Sequence, residues 1–243
     1  GLGMWALGIP LSFVIRHTPE QFGYLPDGEI PPGPSSSHRD RDREEVSFKE
    51  ALKSGNLWKI GVVEVIRHMI AMAITTHVMP YLSSVGMSRS ASAFVATSIP
   101  LFSIIGRFGF GWLSDIFDKR YVLVVLYSLF GMGILAFSYI HMKWLIFPFL
   151  LLFSLPHGGT SSLRGAMVRE YFGRASFGRV HGIISGMSSI GTVIGPAVAG
   201  WRFDSVGSYH PVWFWFAGTT VIAIVLMLLL KAPHKTNEEK EVA

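Results

Sequence analysis

Glu64, Arg67 and His68 stand together in a stretch, 57–84, that is otherwise mostly apolar. If the stretch is helical, their i, i+3 and i, i+4 spacing puts them on one face, and Ala71 and Thr75 continue the stripe. A guanidinium, a carboxylate and an imidazole on one face can bind an anion and move a proton. Arg67 would hold the anion by charge-assisted hydrogen bonds, and Glu64 or His68 would carry the proton. The plainer reading of the same residues is a static Glu64–Arg67 pair that neutralises itself. His157 follows Pro156 and precedes Gly158 and Gly159 inside a second apolar stretch, where a broken helix can offer ring and backbone groups to a ligand. A hydrogen-bonded core histidine fits that position too, and His77, beside Pro80, poses the same choice. The chain has no GxxxxGK[ST] phosphate loop, no HExxH motif and no cysteine. ATP coupling, zinc-dependent hydrolysis and thiolate metal sites are therefore not expected, and neither is a cofactor or an enzymatic activity.

The elements that must position these groups are set by composition. Of the 243 residues, 50% are hydrophobic, 13% aromatic and only 15% charged, which fits a bilayer better than water. Apolar runs of spanning length lie near 57–84, 91–114, 120–140, 144–168, 180–201 and 211–230, each bounded by charges, Gly or Pro. The fold class expected is therefore an all-α membrane protein with a six-helix bundle over 57–230. The first apolar run ends at Arg16 and is shorter than the roughly 20 residues a span needs, so 1–16 reads as the end of a preceding transmembrane helix. Residues 17–56 carry prolines, serines and alternating charges, a linker composition, and end in a short amphipathic stretch. Residues 231–243 form a charged tail. The net charge of +5 is concentrated in these segments and in loops, so nucleic acid is not an expected partner.

Orientation follows from Lys and Arg. Arg16, the linker, the approach to the first full span, the 115–120 and 169–179 loops and the tail hold fifteen, whereas Arg89, Lys143 and Arg202 are the three on the opposite side. Linker and tail are thus expected in the cytoplasm. Trp58, Trp112, Trp144, Trp201, Trp213 and Trp215 sit at span ends, where amphipathic rings favour the interface.

A GWxxD signature occurs at Gly111–Asp115 and again at Gly200–Asp204, 89 residues later. Three spans separate the copies, so they fall on opposite membrane faces and predict two inverted three-helix repeats. In the 180–201 span, Gly182, Gly186 and Gly200 share one side, with Gly191 and Gly195 on the other, which predicts close helix packing on both sides.

The stretch from Gly106 to Arg120, with Gly111, Asp115 and the basic pair Lys119-Arg120, resembles the cytoplasmic loop motif of the major facilitator superfamily. Ile116 and Phe117 stand where that family usually has a basic residue and a glycine. Arg164 through Arg174, containing Glu170-Tyr171-Phe172-Gly173, resembles the EYFG loop of bacterial members, and Phe22 through Gly28 completes a likeness to the monocarboxylate and oxalate–formate branch. The resemblance implies the C-terminal half of a transporter, with an N-terminal half of the same protein as partner, the lipid bilayer as surroundings and a small-molecule substrate. It implies a gating role for Gly106, Arg107, Gly111, Asp115, Lys119, Arg120, Arg164 and Glu170. Glu64, Arg67, His68, Thr75 and His157 are the expected substrate and proton pathway. The function expected is secondary transport of small organic anions, with protons as a possible coupling ion, in the cell membrane. An exporter of drugs or metabolites and a non-transporting membrane sensor or scaffold are the alternatives.

Overall fold

The computed structural model describes Pro10 and residues 48–231. The expected preceding span at 1–16, most of the linker and nearly all of the tail lie outside the described residues. A short helix α1 (Phe48–Lys53) leads into six long ones: α2 (Gly55–Ser84), α3 (Arg89–Ile116), α4 (Lys119–Ser138), α5 (Lys143–Gly173), α6 (Ser176–Val206) and α7 (His210–Leu228). There is no strand among the described residues. Helices α3 to α7 are long and apolar enough to cross a membrane. At 30 residues α2 has the length, with Glu64, Arg67, His68 and His77 set among its apolar side chains.

Helix boundaries follow local chemistry. The Ser54, Ser88 and Asp118 side chains accept from the backbone N–H groups of Asn56, Ala91 and Arg120 at the starts of α2, α3 and α4. Gly207, at φ 70°, closes α6 in the left-handed conformation that side chains disfavour. Gly173 breaks the chain between α5 and α6 with φ 75° and ψ −179°. Helix α5 starts irregularly, with a 3-10 turn at Lys143–Leu145, an α turn at Ile146–Phe149 and a π turn at Leu150–Ser154. The π turn directly precedes Pro156, whose missing N–H and ring are incompatible with a regular helical turn before it.

The six helices run up and down. One face, here the near face, carries the start of α2, the α3–α4 turn, the Gly173 break and the end of α7. The side chains of Asn56, Lys59 and Arg120 fasten the last carbonyls of α7 and the residues just beyond it. Asn56 donates to the Lys231 carbonyl at 3.0 Å, Lys59 to Leu229 at 2.6 Å, and Arg120 to Met227 at 3.1 Å and to Leu228. At the far face Tyr81 donates to the Ser138 carbonyl at 2.8 Å. Two apolar clusters fill the bundle. One, nearer the far face, is built on Ile70, Ile74, Phe130, Phe137, Phe153 and Trp213, and the other on Leu57, Val63, Leu126, Tyr127, Phe172 and Ile184. Glu64 and Arg67 fall at the seam between them.

The 89-residue repeat is visible in the packing, and α2, α3 and α4 correspond in order to α5, α6 and α7, with inverted orientation. Gly106 of α3 presses on the Leu155 carbonyl of α5, and its equivalent, Gly195 of α6, presses on the Met69 carbonyl of α2. Gly131 of α4 meets Thr220 of α7, again an equivalent pair. Equivalent residues meet only near the two-fold axis, which therefore passes between α4 and α7. In α6, Gly191 and Gly195 lie against the backbone of α2 and Gly200 meets the His77 ring of α2, whereas no other part of the described residues comes within 4 Å of a Cβ at Gly182 or Gly186. The expected close packing is thus met in full at Gly191 and Gly195 and, on the other side, at Gly200 alone, while Gly182 and Gly186 are exposed.

Gly106→Ala or Gly195→Ala drives a Cβ into a backbone carbonyl and is predicted to cost about 1–3 kcal/mol. Gly218→Ala, with nothing within 4 Å of the new Cβ, is predicted to be neutral or slightly stabilising. Thermal unfolding of the detergent-solubilised protein checks the contrast.

Candidate functional site

The predicted stripe exists and is buried. Glu64 and Arg67 each retain 3% of their side-chain exposure, while His68 is half-buried. Arg67 Nη2 donates to Glu64 Oε2 at 2.8 Å, and Nε lies 3.3 Å from both carboxylate oxygens. The Glu64 carboxylate has two further partners: Arg164 Nη1 of α5 at 3.3 Å and the Tyr127 hydroxyl of α4 at 3.4 Å. His68 donates from Nδ1 to the Glu64 backbone carbonyl at 2.9 Å, which leaves Nε2 to accept from Arg67 Nη2 at 3.1 Å. Arg67 Nη1 reaches Ser161 Oγ of α5 at 3.4 Å.

One carboxylate therefore serves two guanidiniums. With both histidines neutral the group carries one excess positive charge, and burial makes that charge costly unless an anion joins it. Beside it opens a cavity of about 250 Å³ lined by Arg67, His68, Ala71, Met72, Thr75, His157, Ser161 and Arg164. The lining repeats with the fold. His68, Met72 and Thr75 on α2 are the 89-residue equivalents of His157, Ser161 and Arg164 on α5. The cavity thus lies where the first helices of the two repeats face each other. His157 stacks on Phe153 with ring centroids 5.8 Å apart, and its buried Nδ1 has no partner among the described residues. Thr75 lines the cavity with its hydroxyl turned back to the Ala71 carbonyl at 2.9 Å. Among the described residues no group of acidic, histidine or cysteine side chains is arranged to hold a metal ion.

His77 resolves as a core histidine. Its Nε2 donates to the Pro196 carbonyl at 3.1 Å and its Nδ1 accepts from Tyr209 at 3.1 Å, joining α2 to α6 and to the start of α7.

The loop-motif residues disperse. Gly106 is the tight contact between α3 and α5, whereas Gly111 has nothing within 4 Å, because five residues on it lies about 140° around the helix. Asp115 and Arg107 are exposed, with no side-chain partner among the described residues. Lys119 pairs with Glu170 at 2.9 Å, linking the start of α4 to the last turn of α5. Arg120 holds the end of α7 instead of a loop. Arg164 belongs to the buried cluster, since α5 continues nine residues past it to Gly173. Sequence reasoning missed Ser161, Met72 and Tyr127. Adding the repeat spacing to His68, Met72 and Thr75 finds Ser161 and Arg164, but no sequence signal marks Tyr127.

Inverted helical triplets with a cavity where their first helices meet are the architecture found within each half of one class of membrane transporter folds. The chain belongs to the Major Facilitator Superfamily, whose sequence model matches residues 22–243. It is similar to Monocarboxylate transporter 12 of Rattus norvegicus, 28% identical over 137 residues, which cover 55% of this chain and 28% of that protein. Monocarboxylate transporter 12 of Homo sapiens is 27% identical over 169 residues, 66% of this chain and 33% of the relative. The chain thus spans about a third of the length of these relatives. In fold it is similar to the E. coli fucose:proton symporter, with a TM-score of 0.60 and 18% identity over 75% of this chain and 45% of the other. The protein is a multi-pass membrane protein of a transporter family.

Removing the shared carboxylate leaves two guanidiniums facing each other. Glu64→Ala is predicted to cost about 3–5 kcal/mol, and His68→Ala far less, since His68 is half-buried and bonded mainly within its own helix. Melting temperatures of the solubilised variants test this order.

Proposed function

We propose that the protein is an alternating-access carrier of small monovalent organic anions, monocarboxylates first among them, and that residues 57–230 form its C-terminal six-helix half. The observation that carries this reading is the excess positive charge of the Glu64–Arg67–Arg164 group beside a cavity of about 250 Å³. A carboxylate entering that cavity makes charge-assisted hydrogen bonds to Arg67 or Arg164, with Ser161 and His157 as neutral partners. The cavity volume suits a small acid, and its single surplus charge suits one carboxylate. The likeness to the monocarboxylate transporters agrees with this reading.

Glu64 is the proton carrier in this scheme. Protonated, it releases both arginines to the anion; deprotonated, it competes with the anion for them. Charge and proton then travel together, and His68, tied to the Glu64 carbonyl and to Arg67, completes the relay. The gating elements are the near-face contacts, with the Lys119–Glu170 pair the clearest of them. The near face is cytoplasmic by its lysines and arginines, with 17–56 as the linker to an N-terminal half and 231–243 as the tail.

Uptake of a panel of small carboxylates by the intact transporter in proteoliposomes tests the proposal. Arg67→Ala is expected to lower monocarboxylate uptake by roughly tenfold or more, the loss of one charge-assisted bond. Glu64→Gln is expected to uncouple uptake from an imposed proton gradient. If no carboxylate moves, or both variants match the wild type while folded, the anion reading is wrong.

A further inference from the structure

The inverted repeats are not identical, and the difference centres on Arg164. It is the equivalent of Thr75, while Phe153 is the equivalent of Glu64. The Glu64–Arg164 contact at 3.3 Å, in the near-face half of α2 and α5, therefore has Thr75 and Phe153 as its counterpart in the far-face half. That counterpart holds nothing together, since the Thr75 hydroxyl bonds only within its own helix and Phe153 is buried against Phe130 and Phe149. Helices α2 and α5 are thus tied by an ion pair on one side of the cavity and untied on the other.

Inverted repeats give a carrier a second conformation at little cost: the first repeat takes the geometry of the second and the second that of the first. In that exchanged state α2 and α5 approach at Thr75 and Phe153 and separate at Glu64 and Arg164. Arg67 follows Glu64, because both stand on α2 and their 2.8 Å pair is internal to one helix. Arg164 follows α5 and loses its carboxylate. Its Nε already has no partner among the described residues, so in the exchanged state the guanidinium has to find an anion elsewhere.

We propose that Arg164 is a state-switched anion ligand: paired with Glu64 in this conformation, released to the cavity in the opposite-facing one. The inference rests on the alternating-access reading. It extends that reading by giving the two cavity arginines different roles. Arg67 is a constant ligand on α2 with its own counter-ion. While Glu64 is ionised, Arg164 binds substrate once the repeats have exchanged, so a bound anion replaces Glu64 as its partner and steadies the state that opens to the near face. The other charged or titratable groups facing the pair are Arg67, His68 and Tyr127, with His157 across the cavity and His181 of α6 beside Arg164 and Glu64. None of these is a second carboxylate able to take Glu64's place.

The test reads conformation and not transport. The sequence has no cysteine, so within it single cysteines can be placed freely: Thr75→Cys in the central cavity, and Ala166→Cys in a near-face recess of about 440 Å³ that it lines with Gly165, Arg169 and Phe177. Labelling by a membrane-impermeant maleimide is measured from each face of the membrane, on the intact transporter carrying Glu64→Gln, Arg164→Gln or both. Each single variant is expected to shift the ratio of Thr75→Cys to Ala166→Cys labelling roughly tenfold toward the near face, as loss of one bond to a buried ion does. The double variant is expected to shift it no further than either single, since the pair acts as one unit. Arg164→Lys, which keeps the charge and gives up the guanidinium fork, is expected to shift it in the same direction by less, and it carries the test if the neutral variants do not fold. An unchanged ratio, or a double variant that adds the two single shifts, overturns the proposal. Loss of uptake with labelling unchanged also overturns it and makes Arg164 a fixed ligand. Shifted labelling without carboxylate transport supports the switch and removes the substrate reading instead.

Discussion

Burying Glu64 is the constraint on which the arrangement turns. A carboxylate at the seam between two apolar clusters has to be surrounded by donors, and the chain supplies them from three helices: Arg67 on α2 itself, Tyr127 on α4 and Arg164 on α5. The Tyr127 and Arg164 contacts tie α2 to α4 and α5, while the Arg67 contact is internal to α2. Over-satisfying the carboxylate with two guanidiniums leaves the group cationic. The electrostatic cost of burying Glu64 and the capacity to attract an anion are thus two aspects of one arrangement.

The repeat gives that arrangement its place. Close helix crossings at Gly106 and Gly195, and the meeting of Gly131 with Thr220, set the axis relating the two triplets. The cavity forms where α2 and α5 face each other across it, lined by three pairs of equivalent positions. Two of those pairs differ in chemistry, Met72 against Ser161 and Thr75 against Arg164, while His68 and His157 match. In the proposed carrier, backbone symmetry offers two alternative packings, and side-chain asymmetry makes them respond differently to charge.

Much of this was legible in the sequence. Hydrophobic run length located the six helices to within a few residues, since a bilayer leaves little freedom in span length. The i, i+3 and i, i+4 spacing of Glu64, Arg67 and His68 placed them on one face, and the GWxxD recurrence pointed to the inverted repeat. What escaped was contact between distant segments. Arg164 falls inside the 144–168 run but is grouped with the gating residues through its resemblance to the EYFG passage, which does not show that it faces Glu64 across the bundle. His77 looked equivalent to His157, and only its partners Pro196 and Tyr209, 119 and 132 residues away, separate a tethered core ring from one that lines a cavity. Gly111 and Gly106 stood together in the gating motif, but helical phase gives the close helix contact to Gly106.

The central claim, that a surplus cation on the α2–α5 interface binds a small carboxylate, is tested most directly by locating such an anion in the intact transporter. Crystals grown with methylselenoacetate, a small unreactive carboxylate carrying an anomalous scatterer, would supply the position. Selenium signal is expected in the cavity between α2 and α5, with the carboxylate within hydrogen-bond distance of Arg67 or Arg164. Signal confined to other sites, with this cavity empty at saturating methylselenoacetate, would contradict it.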